Sequence, residues 1–210
     1  MIISASQTFE SAPAGVYPAR LFRIVDLGTQ IGDYQGKPTK ARKLLLSFEL
    51  LSDERMNDGK PFSISRRFTA SLSDKAALRA FINQWRSKAL TDEEVKAFDL
   101  GKMLGAYGFL NLTETTREGK TYTNIASISP LPKGMPKPEG VNALLMFDLS
   151  KPDWNVYDSL GERLQGQIAA SPEYQALQGW GDTAPATSAN KPNTTDTANN
   201  AEQFGDDIPF

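Results

Sequence analysis

The side chains that most often carry enzyme chemistry are missing from this chain, which has no histidine and no cysteine among its 210 residues. Without them there is no serine–histidine–aspartate triad, no cysteine–histidine pair and no zinc site of the usual ligands. Catalysis would have to rest on carboxylates, lysine or tyrosine, and Asp26 and Glu49 are the only clear acids in strand patterns that could point inward. We therefore expect no enzymatic activity, no metal and no cofactor.

Two segments look like ligand loops, but each lacks a required residue. Residues 114–121 end like a phosphate-binding loop, yet Glu114 stands where the first glycine is needed, and the segment lies in a hairpin pattern. Residues 53–59 begin like a calcium loop, yet Arg55 occupies a ligand position and Ile64 stands where the last glutamate is due. Neither segment predicts a phosphate or calcium site.

The chemistry that remains is attraction of phosphates to basic side chains and stacking of bases on aromatic rings, which together bind single-stranded nucleic acid. A basic cluster lies at 37–43, an arginine pair lies in the middle of a strand pattern, and aromatic residues follow in two later strand patterns. The predicted DNA-binding residues are Arg20, Tyr34, Lys37, Lys40, Arg42, Lys43, Arg66, Arg67, Tyr107, Phe109 and Tyr122.

The basic cluster and the aromatic residues also have an ordinary structural explanation, whereas an arginine pair in the middle of a strand is unusual for a simple solvated face. A solvated loop would account for the 37–43 cluster as well as a phosphate site does, and core positions would account equally well for the three aromatic residues at 107, 109 and 122. Four other aromatic residues are expected in the core: Phe22, Phe48, Phe68 and Trp85.

Charge is divided unevenly along the chain. Residues 1–140 carry 20 Lys and Arg against 15 Asp and Glu, a net charge of +5, whereas residues 141–210 carry 3 against 10, a net charge of −7. A basic body with an acidic tail is typical of a protein whose body meets a polyanion.

The elements that must position these residues follow from hydrophobic periodicity. Alternation of apolar and polar residues predicts strands, with Leu44, Leu46, Phe48 and Leu50 on one face of the second strand and Lys43, Ser47 and Glu49 on the other. Leu78, Phe81, Ile82 and Trp85 repeat at helical spacing, and Thr91 with Glu94 forms a capping-box pattern. The predicted strands cover 15–27, 41–52, 61–71, 104–113 and 120–131, and the predicted helices cover 73–86 and 91–98.

The order β-β-β-α-β-β predicts a mainly β fold, a five-stranded OB-fold barrel with a helical insertion between the third and fourth strands. Turns are indicated by the sequence at 57–60 and by a polar tip at 114–119. We expect this barrel domain to occupy residues 1–135.

Beyond residue 135 the composition changes twice. Residues 136–181 are expected to form a Pro- and Lys-rich linker arm and one short helix that packs on the barrel or on another subunit. Residues 182–210 have almost no apolar bulk before the last few positions and are expected to be a disordered tail.

The last five residues are two acids followed by an apolar tip with an aromatic end: Asp206, Asp207, Ile208, Pro209 and Phe210. This tip resembles the C-terminal tip of bacterial single-stranded-DNA-binding proteins, in which a barrel holds the strand, a low-complexity linker follows and the acidic tip docks partner enzymes. The helical stretches between strands three and four, the lysine–proline arm and the segment at 141–180 look more like phage-encoded members of that family.

The resemblance implies sequence-nonspecific binding of single-stranded DNA during replication, recombination or repair, with partner proteins bound at residues 206–210. It implies a cytoplasmic protein of a bacterial cell or a phage-infected host, either as a single chain or as a homo-oligomer. No apolar run long enough for a membrane span and no signal-peptide pattern is present in the sequence. Two alternatives stay open: a protein-interaction adaptor, and a recombination mediator that anneals single strands.

Overall fold

The computed structural model describes residues 10–34 and 36–179. The strands are β1 (Gly15–Tyr34), β2 (Lys37–Leu50), β3 (Ser63–Thr69), β4 (Tyr107–Arg117), β5 (Lys120–Pro130) and β6 (Leu145–Phe147). The helices are α1 (Ala77–Arg86), α2 (Asp92–Lys96), α3 (Trp154–Ser159), α4 (Glu162–Ala169) and α5 (Pro172–Leu177), with a 3₁₀ turn at Leu100–Met103.

The strands form one sheet in the order β3-β2-β1-β4-β5, and β6 pairs with β1. β4 pairs antiparallel with both β1 and β5. Its pairing with β1 places a strand late in the sequence beside the first one. Within the described residues, the two edge strands β3 and β5 do not pair with each other. The predicted mainly β class is confirmed, and the sheet is open between β3 and β5.

Both helices between β3 and β4 are confirmed, and α1 begins at Ala77, four residues after its predicted start. The four apolar residues that predicted α1 are all buried, at 78, 81, 82 and 85. The capping box of α2 is present, because the Thr91 hydroxyl accepts from the Glu94 backbone N–H at 3.2 Å and the Glu94 carboxylate accepts from the Thr91 N–H at 2.9 Å. α2 ends at Lys96, two residues before the predicted end.

The β4–β5 hairpin is tighter than predicted. Its strands continue to Arg117 and from Lys120, so the turn consists of Glu118 and Gly119 rather than a loop over 114–119. Both turn residues have positive φ, 50° and 74°. Such a turn matches the twist of the paired strands, which lets polar residues 114–117 remain in strand pairing.

The polar face predicted for β2 is wrong at its C-terminal half, where every residue from Leu45 to Leu50 is buried. Ser47 and Glu49, expected opposite the apolar face, are both fully buried. Other residues cover the strand on both sides. Because the residues on its second side are polar and their polar groups are hydrogen-bonded, the alternation of apolar and polar residues does not reveal that they are buried. Ser47 accepts a hydrogen bond from Arg23 Nε at 3.1 Å and contacts the Ser65 hydroxyl at 2.9 Å.

The single helix predicted after residue 140 is also wrong, since this region contains β6 and three short helices. The apolar spacing that predicted it crosses a break at Leu160 and Gly161, between α3 and α4. Asp153 caps α3, and Ser171 followed by Pro172 caps α5. Helices of six to eight residues are too short for periodicity to separate them.

The described residues divide into two compact units of interleaved segments. The first unit contains residues 10–23, 47–66 and 80–144, and Phe48, Phe81 and Trp85 pack together in its core, with ring centroids 5.5 to 6.2 Å apart. The second unit contains residues 24–34, 36–46, 67–79 and 145–179. Its core joins Val25, Leu27 and Leu45 of the strands to five residues of the later segment: Phe147, Leu149, Leu160, Leu164 and Ile168.

Candidate nucleic-acid interface

β4 in the first unit has one buried side and one solvent-facing side. Gly108, Leu110 and Leu112 are buried, whereas Tyr107, Phe109 and the exposed Asn111 alternate with them. Residues directly opposite on paired strands share a face. We call the side of β1, β4 and β5 that carries Tyr107 and Phe109 the outer face.

Phe109 is an aromatic residue of the outer face with small cross-strand neighbours. It is half-buried, and it lies opposite Pro18 on β1 and Ser129 on β5. From the core side, Trp85 Nε1 donates to the Tyr107 carbonyl at 2.8 Å. A Cβ at Gly108 would lie 2.6 Å from that nitrogen, so glycine allows the indole to support the strand directly beneath Phe109.

The side chain of Tyr107 contacts another segment of the first unit. Its hydroxyl donates to the Pro138 carbonyl at 3.0 Å, and Lys137 Nζ lies 5.7 Å from its ring centroid. Tyr107 is therefore in contact with the segment 131–140, which we call the arm.

Tyr122 shares the outer face but lies far along it from Phe109. Its partner across β4–β5 is Thr115, six residues beyond Phe109, which corresponds to roughly 20 Å at about 3.4 Å per residue. Between them the face carries short polar side chains, and the hairpin ends in the exposed pair Arg117 and Lys120.

Arg20 is held in a buried network. Its Nε lies 2.5 Å from Glu49 Oε1, its terminal nitrogen donates to the Asn142 carbonyl, and its side chain is 13% exposed. A phosphate at Arg20 would have to replace a carboxylate that is itself fully buried. The structure gives Arg20 a role in joining β1, β2 and the segment at 142.

Arg66 points toward the opposite edge of the sheet. Its guanidinium donates to the Ile125 carbonyl on β5 at 3.2 Å and lies 5.5 Å from the Phe81 ring centroid. A side chain of one edge strand therefore reaches the backbone of the other.

The other predicted basic residues belong to the second unit. Lys37 and Lys40 are exposed at the start of β2. Arg42 pairs with the Asp26 carboxylate, and its terminal nitrogen lies 3.9 Å from Asp148. Lys43 Nζ donates to the Thr69 hydroxyl at 2.9 Å.

Arg67 also belongs to the second unit, where it donates to Gln167 Oε1 at 2.7 Å. Tyr34 is the last residue of β1. Five of the predicted residues therefore belong to the first unit, namely Arg20, Arg66, Tyr107, Phe109 and Tyr122, and the other six belong to the second unit.

The two strand acids have structural partners. Glu49 accepts from Arg20, from the backbone N–H groups of Val141 and Asn142 and from the Asn142 amide at 2.7 Å. Asp26 accepts from Arg42 and from two backbone N–H groups. Across residues 10–34 and 36–179, acidic side chains form no group of three or more that could hold a metal ion.

An aromatic cluster in the second unit was not predicted. Phe147, Trp154, Tyr157 and Tyr174 pack with centroids 5.4 to 6.5 Å apart, and Trp154 is 39% exposed. Burial, followed by the hydrogen bond with Tyr174, raises the pKa of Tyr157 to about 12. The rings come from three elements: β6 supplies Phe147, α3 supplies Trp154 and Tyr157, and α5 supplies Tyr174. Sequence spacing brings together only the pair within α3, and the other contacts depend on tertiary packing.

Comparisons with protein-family models and with curated proteins found no match to this chain. The predicted partner-binding tip, Asp206–Phe210, lies outside the described residues. Among the helices that the structure describes, none is both long enough and apolar enough to cross a membrane.

Proposed function

We propose that this protein binds single-stranded DNA without sequence preference on the outer face of the first unit. It would act during replication, recombination or repair in the cytoplasm of a bacterial cell or a phage-infected host. The tip at 206–210 would recruit partner proteins. The observation that carries the proposal is the outward row of β4, where Phe109 lies on a strand supported from the core by Trp85.

The strand order supports an OB-type fold for the DNA-binding body. Closing the row β3-β2-β1-β4-β5 into a barrel needs only that β3 and β5 approach each other. The Arg66 side chain already bridges these strands at the Ile125 carbonyl. OB folds are partly open Greek-key barrels that bind oligonucleotides, so an open edge here is compatible with that fold.

The residues of the outer face are suited to binding single-stranded DNA without sequence preference. Stacking of a base on an aromatic ring contributes roughly 1–3 kcal/mol and tolerates any base, because every base has a π face. Phe109 offers such a ring, Tyr122 offers a second position farther along, and Arg117 with Lys120 gives the hairpin tip positive charge. The net charge of +5 over residues 1–140 attracts phosphates at long range, and +1 of it comes from the segments of the first unit.

The test is a titration with oligo-dT and with a duplex of equal length at two salt concentrations. Tryptophan fluorescence is a suitable signal, because Trp85 contacts β4 directly under the outer face. We expect tight, salt-sensitive binding to the single strand and little binding to the duplex. Absence of binding to both would reject the proposal and favour the protein-interaction adaptor.

Phe109→Ala tests the face itself. We expect the variant to bind oligo-dT about 5- to 150-fold more weakly, which corresponds to the loss of one stacked base at roughly 1–3 kcal/mol. Phe98→Ala, which removes a half-buried ring of the same unit outside the sheet, is the matched control. Equal affinity of both variants for oligo-dT would place the binding surface elsewhere.

A further inference from the structure

The arm, residues 131–140, is fixed to the first unit at its start and near its end. It leaves the end of β5 at Pro130, which pairs with Gly108 of β4. It then meets the Tyr107 hydroxyl at Pro138. Immediately after the arm, the backbone N–H groups of Val141 and Asn142 donate to Glu49 at 3.1 and 2.9 Å.

The last residue of the arm has to be glycine. A Cβ at Gly140 would lie 1.9 Å from Cζ of Arg20, well inside any real contact distance. Arg20 cannot move away easily, because it is bonded to Glu49 and to the Asn142 carbonyl. The buried network therefore fixes where the arm ends.

These anchor points define a path across the outer face. Tyr107 is the cross-strand partner of Arg20, and Arg20 contacts Glu49 of the next strand. The arm thus passes over β4, β1 and β2 along one row of the face. The next row, Phe109 with Pro18 and Ser129, lies about 7 Å away, two residues along the strands at about 3.4 Å each.

The arm carries two exposed lysines, and one of them, Lys137, lies beside Tyr107 in the adjoining row. Lys133 and Lys137 are exposed, and Glu139 is the one acid in the arm. Prolines at 132, 136 and 138 each fix a backbone φ angle, so less conformational freedom is lost when the lysines meet a ligand.

We infer that the arm forms one basic side of the DNA site, and this inference rests on the proposed function. In it, Lys133 and Lys137 contact the phosphates of a strand whose base stacks on Phe109. Tyr107, predicted from the sequence to stack a base, is instead a positioning residue that holds the arm through Pro138. The ligand is the sugar–phosphate backbone of a single strand, so the arm contributes affinity without sequence preference.

The test compares Lys133→Ala/Lys137→Ala with Lys88→Ala/Lys96→Ala, a pair of exposed lysines from the helical region of the same unit. Oligo-dT affinity is measured from low to high salt for both variants and for the unchanged chain. Loss of two phosphate contacts should reduce the slope of log affinity against log salt by about 1.4, at about 0.7 per contact on single strands. The difference from the unchanged chain should vanish at high salt, and the control pair should keep the full slope.

The outcomes separate this inference from the proposed function. If the unchanged chain binds and Phe109→Ala weakens binding, yet the arm variant keeps the full slope, the inference about the arm is wrong and the DNA-binding proposal stands. If the unchanged chain does not bind oligo-dT, the proposed function itself fails. Tyr107→Phe, which removes only the hydroxyl bonded to Pro138, should lower affinity in the unchanged chain but have no effect once both arm lysines are replaced.

Discussion

Arg20 and Glu49 form a buried ion pair that organises the first unit around one carboxylate. Glu49 is fully buried and accepts hydrogen bonds from a guanidinium, two backbone N–H groups and an amide. A buried charge is stable only when it is paired and its remaining hydrogen-bonding capacity is used, and Glu49 satisfies both conditions. The carboxylate therefore joins β2 to β1 and to residues 141–142.

Replacing Glu49 with glutamine keeps its shape and removes its charge. Arg20 would then be a buried cation without a counter-charge, which typically costs about 3–5 kcal/mol. We expect Glu49→Gln to lower the free energy of unfolding by an amount of that order, measured by urea denaturation. Glu54→Gln, at an exposed position of the same unit, should stay within about 0.5 kcal/mol of the unchanged chain. A similarly small change for Glu49→Gln would show that the pair contributes little.

Residue types and alternation identify part of the core correctly. Phe48, Phe68 and Trp85 are buried as predicted, whereas Phe22 is only half-buried, with Arg23 5.6 Å from its ring centroid. The failure at Arg20 has a physical reason. The charge of Arg20 can be read from the sequence, but its partner Glu49 lies 29 residues away. Their contact depends on the register of the strands.

At the scale of elements, α2 is a five-residue helix stabilised mainly at its N-terminus. The Glu94 carboxylate accepts from the Thr91 N–H and from Arg86, and that hydrogen bond with Arg86, followed by the one with Thr91, lowers the pKa of Glu94 from 4.5 to about 2. Because the folded state holds the carboxylate ionised, its contribution to stability is present above about pH 4.5 and is lost as the pH falls toward 2.

Glu94→Gln should therefore change how stability depends on pH. The variant keeps a side chain that can cap Thr91 but has no charge to titrate. We expect the unchanged chain to have the higher Tm at pH 7, and the difference between the two to close between pH 4.5 and 2. Glu93→Gln on the same helix is the control. A difference that is constant over this range would mean that the Glu94 charge does not stabilise α2.

Elements defined by local signals are the ones that sequence predicts well. Four apolar residues at helical spacing predict α1, and a capping box predicts α2. The segment after 140 could not be resolved in this way, because α3, α4 and α5 depend on packing against Val25, Leu27 and Leu45 of distant strands. For the candidate site, the face of Phe109 follows from alternation, but the contact between Tyr107 and Pro138 requires the tertiary path of the arm.

Under the proposed function, the uneven distribution of charge along the chain predicts competition between the acidic tail and DNA. An acidic segment tethered to a basic body is present at high local concentration near any phosphate site. Such competition between exposed charges is screened by salt. Residues 202–210 carry three of the ten acids in the chain beyond residue 140.

Removal of residues 202–210 should tighten oligo-dT binding several-fold at low salt and have no effect at high salt, as measured by the same titration. The matched control is Phe210→Ala, which leaves the acidic residues in place and should bind oligo-dT like the unchanged chain. Unchanged affinity of the shortened chain at low salt would reject competition by the tail.

The interleaving of the two units limits how this protein could have been assembled during evolution. The chain passes from one unit to the other five times, after residues 23, 46, 66, 79 and 144, and the first four of these transitions lie inside β1, β2, β3 and α1. A genetic crossover anywhere between the first and last transition would transfer an incomplete hydrophobic core. The two units therefore have to be inherited together and diversify by substitution within a fixed scaffold, rather than by the exchange of modules.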